Sequence, residues 1–332
     1  MADGIEDPVL RRLRELEERV DALDAKVESA AQAYSLARHR FRRVWLRPPL
    51  WTFEQYAPRA LVLKPSYSRE KSPQQSLPVA IATPNYNYGK YLKATIDSVL
   101  SQSYPRLSYH VQDACSTDDS VELLRSYGSQ ISWRSEQDNG QTQAINRAFA
   151  NLHGEIMGYL NSDDMLLPGT LSYVVRAFQE RPDIDLVYGH RIFIDGEGLE
   201  VGRAILPQHD ARAICWADYV PQETLFWRRR VWDTVGPFRE DFNYAFDWDF
   251  ILRAQAAGFK FLRLPRFLAC FRVHEAQKTA SLYEIGRREM QRLRRQHLGH
   301  EPSQAEIVQA IFPYLARQFI MHLMYKWGVF RY

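Results

Sequence analysis

From Leu77 onward, apolar segments with strand and helix periodicity alternate along the chain. Strands are predicted at 79–83, 107–113, 131–134 and 156–160, and helices at 91–102, 119–127 and 141–152. Alternation of this kind indicates βαβ units and a mostly parallel sheet covered by helices on both faces. The predicted fold class is therefore α/β, with further helical segments at each end of the chain.

Residues 1–46 have a different periodicity. Apolar residues recur at alternating spacings of three and four, at Leu13, Leu16, Val20, Leu23, Val27, Ala30, Tyr34, Ala37 and Phe41. Such a heptad seam predicts an N-terminal coiled-coil helix, and through it a homo-oligomer. A single amphipathic helix packed on the rest of the protein is the alternative.

Two further segments flank the central α/β region. Six prolines lie between Pro48 and Pro78, and because proline fixes φ and lacks a donor, residues 47–76 are predicted to be a linker or a strap. Residues 300–332 are predicted to form an amphipathic helix, with Ile311, Leu315, Phe319 and Leu323 on one face. That face suits either a membrane interface or packing on protein.

Composition narrows the functional classes. The 332 residues include 43 Lys and Arg and 40 Asp and Glu, a net charge of +3 that does not indicate a nucleic-acid partner. Three cysteines without Cys-x-x-Cys spacing argue against zinc and disulfides, and favour a cytoplasmic location. No signal peptide or spanning segment is predicted. Arginine clusters at 38–47 and 287–295 predict solvated helix faces or peripheral contact with anionic lipid, as at the inner face of the plasma membrane.

Candidate chemistry lies where the predicted strands end. Asn161-Ser162-Asp163-Asp164 directly follows the apolar stretch 156–160. Hard cations such as Mg²⁺ and Mn²⁺ prefer oxygen ligands and are held by one or two carboxylates plus substrate phosphates; ordinary turn or helix-cap chemistry is the alternative. Polar residues also follow two other strands, at 83–86 and at Asp113. Because ligands bind at the carboxyl ends of strands in open α/β sheets, their convergence favours a site.

A further carboxylate opens the apolar helical pattern at 250–252. Asp247 and Asp249 lie at the start of this pattern, and Asp249 is the predicted helix N-cap, although a plain cap also explains either residue. Gln222 and Glu223 precede another apolar strand, at 225–227, and their spacing alone fixes no role.

Six motifs resemble those of inverting family 2 glycosyltransferases with the GT-A (Rossmann-like) fold, and they occur in the same order along the chain. They are Ala82–Asn87, Gln112–Asp119, Asp138–Gln141, Asn161–Asp164, Phe246–Arg253, and Arg272-Val273-His274 with Lys278. The resemblance covers residues 77–299. The chain departs from the family pattern at Ala114 and Cys115, which replace two glycines, and at Phe246, which replaces a Glu. Asn161 stands in place of the first carboxylate of the Asp-x-Asp metal motif.

The resemblance implies roles for individual residues. Asp163 and His274 are expected to bind Mn²⁺ or Mg²⁺, and Asp247 to be the catalytic base. The expected nucleotide-binding residues are Thr83, Pro84, Tyr86, Asp113, Asn139, Gln141, Asn161 and Asp164. Lys278, Gln222 and Glu223 are expected on the diphosphate and acceptor side. A turn role for Asp113, a core role for Tyr86 and a structural role for His274 are the alternatives.

The implied activity is transfer of a sugar from a UDP- or GDP-sugar to a hydroxyl of a glycan or lipid-linked acceptor, in polysaccharide or cell-envelope biosynthesis. A dinucleotide-dependent enzyme is disfavoured, because residues 84–89 lack the Gly-x-Gly-x-x-Gly pattern. A glycoside hydrolase also needs two carboxylates, which sequence alone does not place. A non-catalytic, membrane-associated assembly protein of a glycan-synthesis complex is the alternative from another class.

Overall fold

The computed structural model describes residues 55–70, 72–274 and 283–332. The chain divides into two compact units, Met1–Pro49 and Leu50–Tyr332, and all described residues belong to the second. The predicted coiled coil lies outside the described residues.

The second unit contains ten strands and nine α-helices within the described residues. The strands are β1 (Gln55–Arg59), β2 (Val79–Asn85), β3 (Leu107–Asp113), β4 (Ser132–Ser135), β5 (Ile156–Tyr159), β6 (Met165–Leu166), β7 (Leu186–Ile194), β8 (Glu200–Ala204), β9 (Phe226–Arg228) and β10 (Phe261–Arg272). The helices are α1 (Pro65–Ser68), α2 (Gly89–Leu100), α3 (Ser120–Ser126), α4 (Gln141–Ala150), α5 (Thr170–Glu180), α6 (Arg229–Val235), α7 (Phe246–Ala256), α8 (Tyr283–Leu298) and α9 (Gln304–Lys326).

One sheet organises the unit, in the order β1-β8-β7-β9-β5-β2-β3-β4. The half formed by β5, β2, β3 and β4 is parallel. Strand β9 is antiparallel to both β5 and β7, and β10 runs parallel to β7 and antiparallel to β6. The predicted α/β class with a mostly parallel central sheet is confirmed.

Alternating side chains of the central strands supply a hydrophobic core on each face of the sheet. Ala80 and Tyr159 face α4, α6 and α7, whereas Ile81 and Ile156 face α2, α3 and α5. Both faces of β2 are therefore buried, which is why its sequence is a continuous apolar run. The small Gly158 is required in β5, because a Cβ there would lie 2.7 Å from the Phe226 ring of β9.

The described part of the proline-rich segment lies against the sheet. Strand β1 pairs antiparallel with β8 at the sheet edge, where Pro58 is tolerated. Helix α1 buries Tyr67, whose hydroxyl accepts a hydrogen bond of 3.2 Å from the Phe267 backbone N–H of β10. Residues 55–70 thus form a strap along the edge of the sheet.

Helix α9 packs on the same unit through a face that differs from the predicted one. It begins with a capping box between Ser303 and Glu306, and its buried residues are Ile307, Ile311, Tyr314, Gln318 and His322. Tyr314 stacks on Tyr219 with ring centroids 4.1 Å apart. Phe319, expected on the apolar face, is exposed instead. Among the described helices, none combines the length and apolar character needed to cross a bilayer.

Candidate active site

The turn that follows β5 is fixed from two sides. The Thr95 hydroxyl of α2 lies 2.9 and 2.8 Å from the carbonyl oxygens of Ser162 and Asp164. From β10, the Arg272 Nε donates to the Asp163 carbonyl at 2.9 Å, and the Arg272 backbone N–H donates to Asp164 Oδ1 at 3.0 Å. The Arg272 guanidinium also bonds the carbonyl of Asp195 at 2.9 Å. This arginine therefore holds the 161–164 turn in place.

The two residues predicted to bind a metal lie together. His274 Nε2 is 3.1 Å from Asp163 Oδ2, and both side chains are largely buried. The Tyr91 ring lies 4.6 Å from the His274 ring, between centroids, and limits its orientation. Within the described residues no set of three or more His, Cys, Asp or Glu side chains could hold an ion. Because Mg²⁺ beside substrate phosphates is usually held by only one or two carboxylates, metal binding by Asp163 and His274 stays a prediction.

Asp164, next to Asp163 in the sequence, is a buried carboxyl. It is fully buried, and burial, followed by the charges of Asp163 and Glu223, raises the pKa of its carboxyl well above the usual range. Among the described residues its Oδ2 has no hydrogen-bond partner. An oxygen-rich turn with an unsatisfied carboxylate oxygen fits a hard divalent cation nearby. Lys278 lies outside the described residues.

Asp113 joins the two loops that follow β2 and β3. It is fully buried. Its carboxylate accepts hydrogen bonds from Asn85 Nδ2 (2.8 Å), the Ser116 hydroxyl (2.5 Å), the Ser116 backbone N–H (3.0 Å) and the Ser135 hydroxyl (2.6 Å). The carboxylate thereby shapes the loops at this edge of the sheet, and contact with a nucleotide base stays a prediction.

The other residues predicted to bind the nucleotide differ in their exposure to solvent. Thr83 and Pro84 are buried in the strand, and the Thr83 hydroxyl lies 3.1 Å from the Tyr109 hydroxyl. Tyr86, just beyond the strand, is 60% exposed and so is available for stacking. Asn139 is exposed as well, next to Gly140, whose φ of 125° only glycine readily adopts at the start of α4.

A relay of amides links the metal-motif turn to two other elements. Gln141 of α4 donates to Asn161 Oδ1 at 2.6 Å, and Asn161 Nδ2 donates to Gln222 Oε1 at 3.0 Å. Gln222 in turn donates to the Tyr159 carbonyl at 2.7 Å. Three residues predicted for the site from distant motifs are therefore in direct contact.

This relay forms one wall of a cavity of about 330 Å³, and Asp247 lies in another wall. The Asp247 Oδ1 accepts a hydrogen bond of 2.8 Å from the Trp248 backbone N–H. The prediction that Asp249 caps this helix is wrong, because α7 begins at Phe246 after Ala245. Asp249 instead pairs with Arg253 at 2.8 Å and Arg239 at 3.3 Å.

The N-terminus of α7 is capped from another helix. Glu289 of α8 accepts backbone hydrogen bonds of 2.8, 2.8 and 2.9 Å from Asn243, Tyr244 and Ala245. Because Ala245 is the N-cap residue, this carboxylate satisfies one of the free N–H groups of the helix and lies at the positive end of its dipole. The Asp247 carboxylate, besides its bond to the Trp248 N–H, lines the cavity.

Sequence reasoning missed two charged residues that line the same cavity, Asp218 and Arg191. Burial and the neighbouring Asp247 raise the pKa of the Asp218 carboxyl well above its usual range. Asp218 lies in an irregular segment and gave no sequence signal. Arg191 had one: it is a charged residue within nine consecutive buried residues of β7.

Arg191 also explains the position of Glu223. The Arg191 Nε donates to Glu223 Oε1 at 2.6 Å, and its second nitrogen contacts Oε2. Glu223 is only 1% exposed, so it orients Arg191 from behind the cavity wall. Gln222 itself lines the cavity, and its role on the acceptor side stays a prediction.

The comparisons with known proteins agree with this architecture. Residues 80–252, more than half of the chain, match glycosyl transferase family 2. The protein belongs to this family and is a glycosyltransferase. It is 29% identical over 217 residues to an uncharacterized glycosyltransferase of Nostoc, covering 61% of this chain and 67% of that one. It is 26% identical over 183 residues to the chondroitin synthase of Escherichia coli, covering 54% of this chain but only 27% of the synthase.

Solved structures show the same fold. Staphylococcus aureus TarS in complex with UDP-GlcNAc superposes with a TM-score of 0.56 and 21% identity, over 73% of each chain. The mannosyltransferase PcManGT of Pyrobaculum calidifontis, in complex with GDP-Man and Mn²⁺, has a TM-score of 0.50 and 20% identity, over 92% of this chain and 82% of its own. At these identities the likeness establishes the GT-A fold alone.

Proposed function

We propose that the protein transfers a sugar, with inversion, from a UDP- or GDP-sugar to a hydroxyl of a glycan or lipid-linked acceptor, with Mn²⁺ or Mg²⁺ as cofactor. The observation that supports this most directly is the single cavity that brings Asn161 of the metal-motif turn and Asp247 together. The donors in the TarS and PcManGT complexes and the glycan named in chondroitin synthase support a nucleotide-sugar donor and a polysaccharide or cell-envelope setting.

On the donor side, Asp163 and His274 would hold the cation. When bound, the cation would offset the negative charge that accumulates on the departing diphosphate. Burial and the neighbouring charge of Asp163 raise the pKa of the Asp164 carboxyl, and a bound cation would offset the charge that this carboxyl carries when it ionises. The amide relay through Asn161 keeps the turn and the acceptor side of the cavity at a fixed spacing.

On the acceptor side, Asp247 is proposed as the general base. An alcohol is a weak nucleophile at neutral pH. A positioned carboxylate that takes its proton therefore accelerates the reaction, typically by about 10²- to 10⁴-fold. The acceptor oxygen then bonds to the sugar carbon as the bond from that carbon to the diphosphate oxygen breaks. Attack from the face opposite the leaving group inverts the configuration. Asp218 shares the cavity and, when protonated, is suited to donate a hydrogen bond to an acceptor hydroxyl.

Self-association through residues 1–46 and a cytoplasmic, peripheral location complete the proposal. Both rest on the sequence: the heptad seam for the first, and the cysteine usage and arginine clusters for the second. A monomeric mass by light scattering of the full-length chain would reject the coiled-coil dimer or higher oligomer.

The first test is a thermal-shift panel of nucleoside diphosphates with and without Mn²⁺. We expect UDP or GDP to stabilise the protein only when Mn²⁺ is present, by about 2.7 kcal/mol at a ligand concentration near one hundred times Kd. Asp163→Ala should abolish this shift. Stabilisation by a nicotinamide or methyl-donor cofactor, with none from a nucleoside diphosphate, would overturn the assignment.

The second test separates binding from chemistry. Asp247→Asn should keep the Mn²⁺-dependent nucleotide shift and lose sugar transfer, because it preserves shape but removes the proton acceptor. Glu122→Gln, at an exposed acid of α3, is the matched control and should retain both properties. Full transfer activity of Asp247→Asn would refute its role as the base.

A further inference from the structure

A second cavity, of about 500 Å³, lies between the strap and the end of helix α9. We call it the basic cavity, because Arg59, Lys64, Arg203, Lys326 and Arg331 line it and no Asp or Glu is among its described lining residues. It shares no lining residue with the active-site cavity. Of its five cations, only Arg203 falls within the segment 80–252 that matches the family. The basic cavity is therefore built mainly from segments outside the family domain.

One buried acid behind the basic cavity offsets part of its charge. Glu200 accepts hydrogen bonds from Arg59 at 2.8 Å and from Arg203 at 2.7 Å, and its side chain is 1% exposed. Glu200 therefore engages two of the five cations. Lys64 and Arg331 are exposed, and neither has an acidic partner among residues 55–70, 72–274 and 283–332. Lys64 and Arg331 both line the cavity, and partial burial, followed by repulsion from the Arg331 charge, lowers the pKa of the Lys64 ammonium. An anion between them would relieve this repulsion.

Exposed apolar side chains lie among the residues that line the basic cavity or next to them in the sequence. Val62 of the strap is 73% exposed, and Trp327 and Val329 at the end of α9 are 74% and 59% exposed. Val62 lines the basic cavity itself, and Trp327 and Val329 alternate in sequence with the lining residues Lys326, Gly328 and Phe330. Aromatic and aliphatic side chains interleaved with cations are typical of surfaces that lie in the headgroup region of a bilayer.

We propose that the basic cavity and Val62, Trp327 and Val329 around it form a docking surface for an anionic lipid bilayer, with a lipid phosphate bound by Lys64 and Arg331. A bilayer meets both requirements at once, since headgroups supply negative charge and the interface accepts exposed apolar side chains. A second copy of this chain would present the same cations and bring like charges together. Docking of this kind would hold the enzyme at the surface where lipid-linked acceptors reside, but the binding itself does not depend on the proposed transfer reaction.

Vesicle co-sedimentation of the full-length protein tests the proposal. We expect binding to vesicles that contain phosphatidylglycerol, little binding to pure phosphatidylcholine, and weaker binding at high salt. Replacing both Lys64 and Arg331 by Gln should weaken binding about 25-fold, from about fivefold per cation. Trp327→Ala should weaken it further. The matched control, Arg125→Gln with Lys260→Gln, removes the same charge elsewhere on the surface and should change binding much less.

Three outcomes would overturn the proposal. The first is equal vesicle binding by the Lys64/Arg331 variant and the wild type. The second is loss of binding only when the sequence cluster Arg38–Arg47 is neutralised, which would assign membrane contact to that segment. The third is a change of oligomeric mass in the Lys64/Arg331 variant with unchanged vesicle binding, which would make the surface an interface between copies. Because Lys64 and Arg331 are exposed, unchanged thermal unfolding of the variant is expected and confirms that it folds.

Discussion

Removing the carboxylate of Glu223 is expected to destabilise the protein strongly. In the wild type the Arg191 and Glu223 side chains are 8% and 1% exposed, and they meet through two parallel contacts. Glu223→Ala removes the anion and leaves the guanidinium buried. Breaking a buried pair from one side typically costs about 3–5 kcal/mol.

Two features of the surroundings decide where in that range the effect falls. The Arg191 guanidinium already lies 4.4 Å from the Phe271 ring centroid, and this contact persists in the variant. Burial keeps the pKa of the Asp164 carboxyl well above its usual range, the Glu223 charge adds to this rise and Arg191 opposes it, so loss of Glu223 favours ionisation of Asp164 beside Arg191. We therefore expect a loss near 3 kcal/mol. For a unit of this size that corresponds to a fall in Tm of roughly 6–12 °C.

Urea unfolding of three proteins measures the effect. Glu223→Ala should have a lower midpoint than wild type with an unchanged slope. The double variant Arg191→Met with Glu223→Leu should be more stable than Glu223→Ala, because it leaves no buried charge unpaired. Equal stability of Glu223→Ala and wild type, or a double variant weaker than the single one, would contradict a buried, charge-compensated pair.

Two further substitutions are expected to stabilise the protein, one by removing a buried ionisable group and the other by relieving backbone strain. The pKa of Asp218 is raised in the folded protein, so its ionisation lowers the free energy of unfolding. This loss of stability is absent below the unfolded-state pKa, grows as pH rises above it, and is complete once pH has passed the folded-state pKa. Asp218→Asn, which can still accept the 3.0 Å bond from the Val220 N–H, should thus raise Tm more at pH 8 than at pH 5. A gain in Tm that is larger at pH 5 than at pH 8 would contradict a raised pKa for Asp218. Cys115 has a φ of 57°, which is strained for a residue with a Cβ. Cys115→Gly should therefore stabilise the fold by about 1 kcal/mol in chemical denaturation, and a loss of stability would show that the thiol makes a contact that outweighs the strain.

The sequence by itself determined the class of fold and the elements that carry the site. Strand and helix periodicity predicted β2 to β5 and α2 to α4 to within a few residues, because burial on both faces of a parallel sheet imposes continuous apolar runs. The motif at 161–164 was also readable, since polar residues that directly follow a buried strand must lie at the edge of the sheet. These features depend only on neighbours along the chain.

The tertiary structure decided what depends on distant segments. Asp249 was predicted as a helix cap from its local position, but Glu289, 40 residues later in the sequence, supplies the cap. The buried face of α9 includes Gln318 and His322, and not Phe319, because the surface against which it packs selects that face. Asp218 became recognisable only when the fold placed it in one cavity with Asp247.

The pairing of Asp163 with His274 shows the physical reason most clearly. These residues are 111 positions apart, and no periodicity relates them. They meet because β10 pairs with β6 in a register that sets Ala269 opposite Leu166 and Cys270 opposite Met165. That register brings residues 272–274 beside the turn at 163–164, since each residue further along one strand lies opposite an earlier residue of its antiparallel partner. Local sequence specifies the strands, and the hydrogen-bonded register between them specifies which side chains share a site.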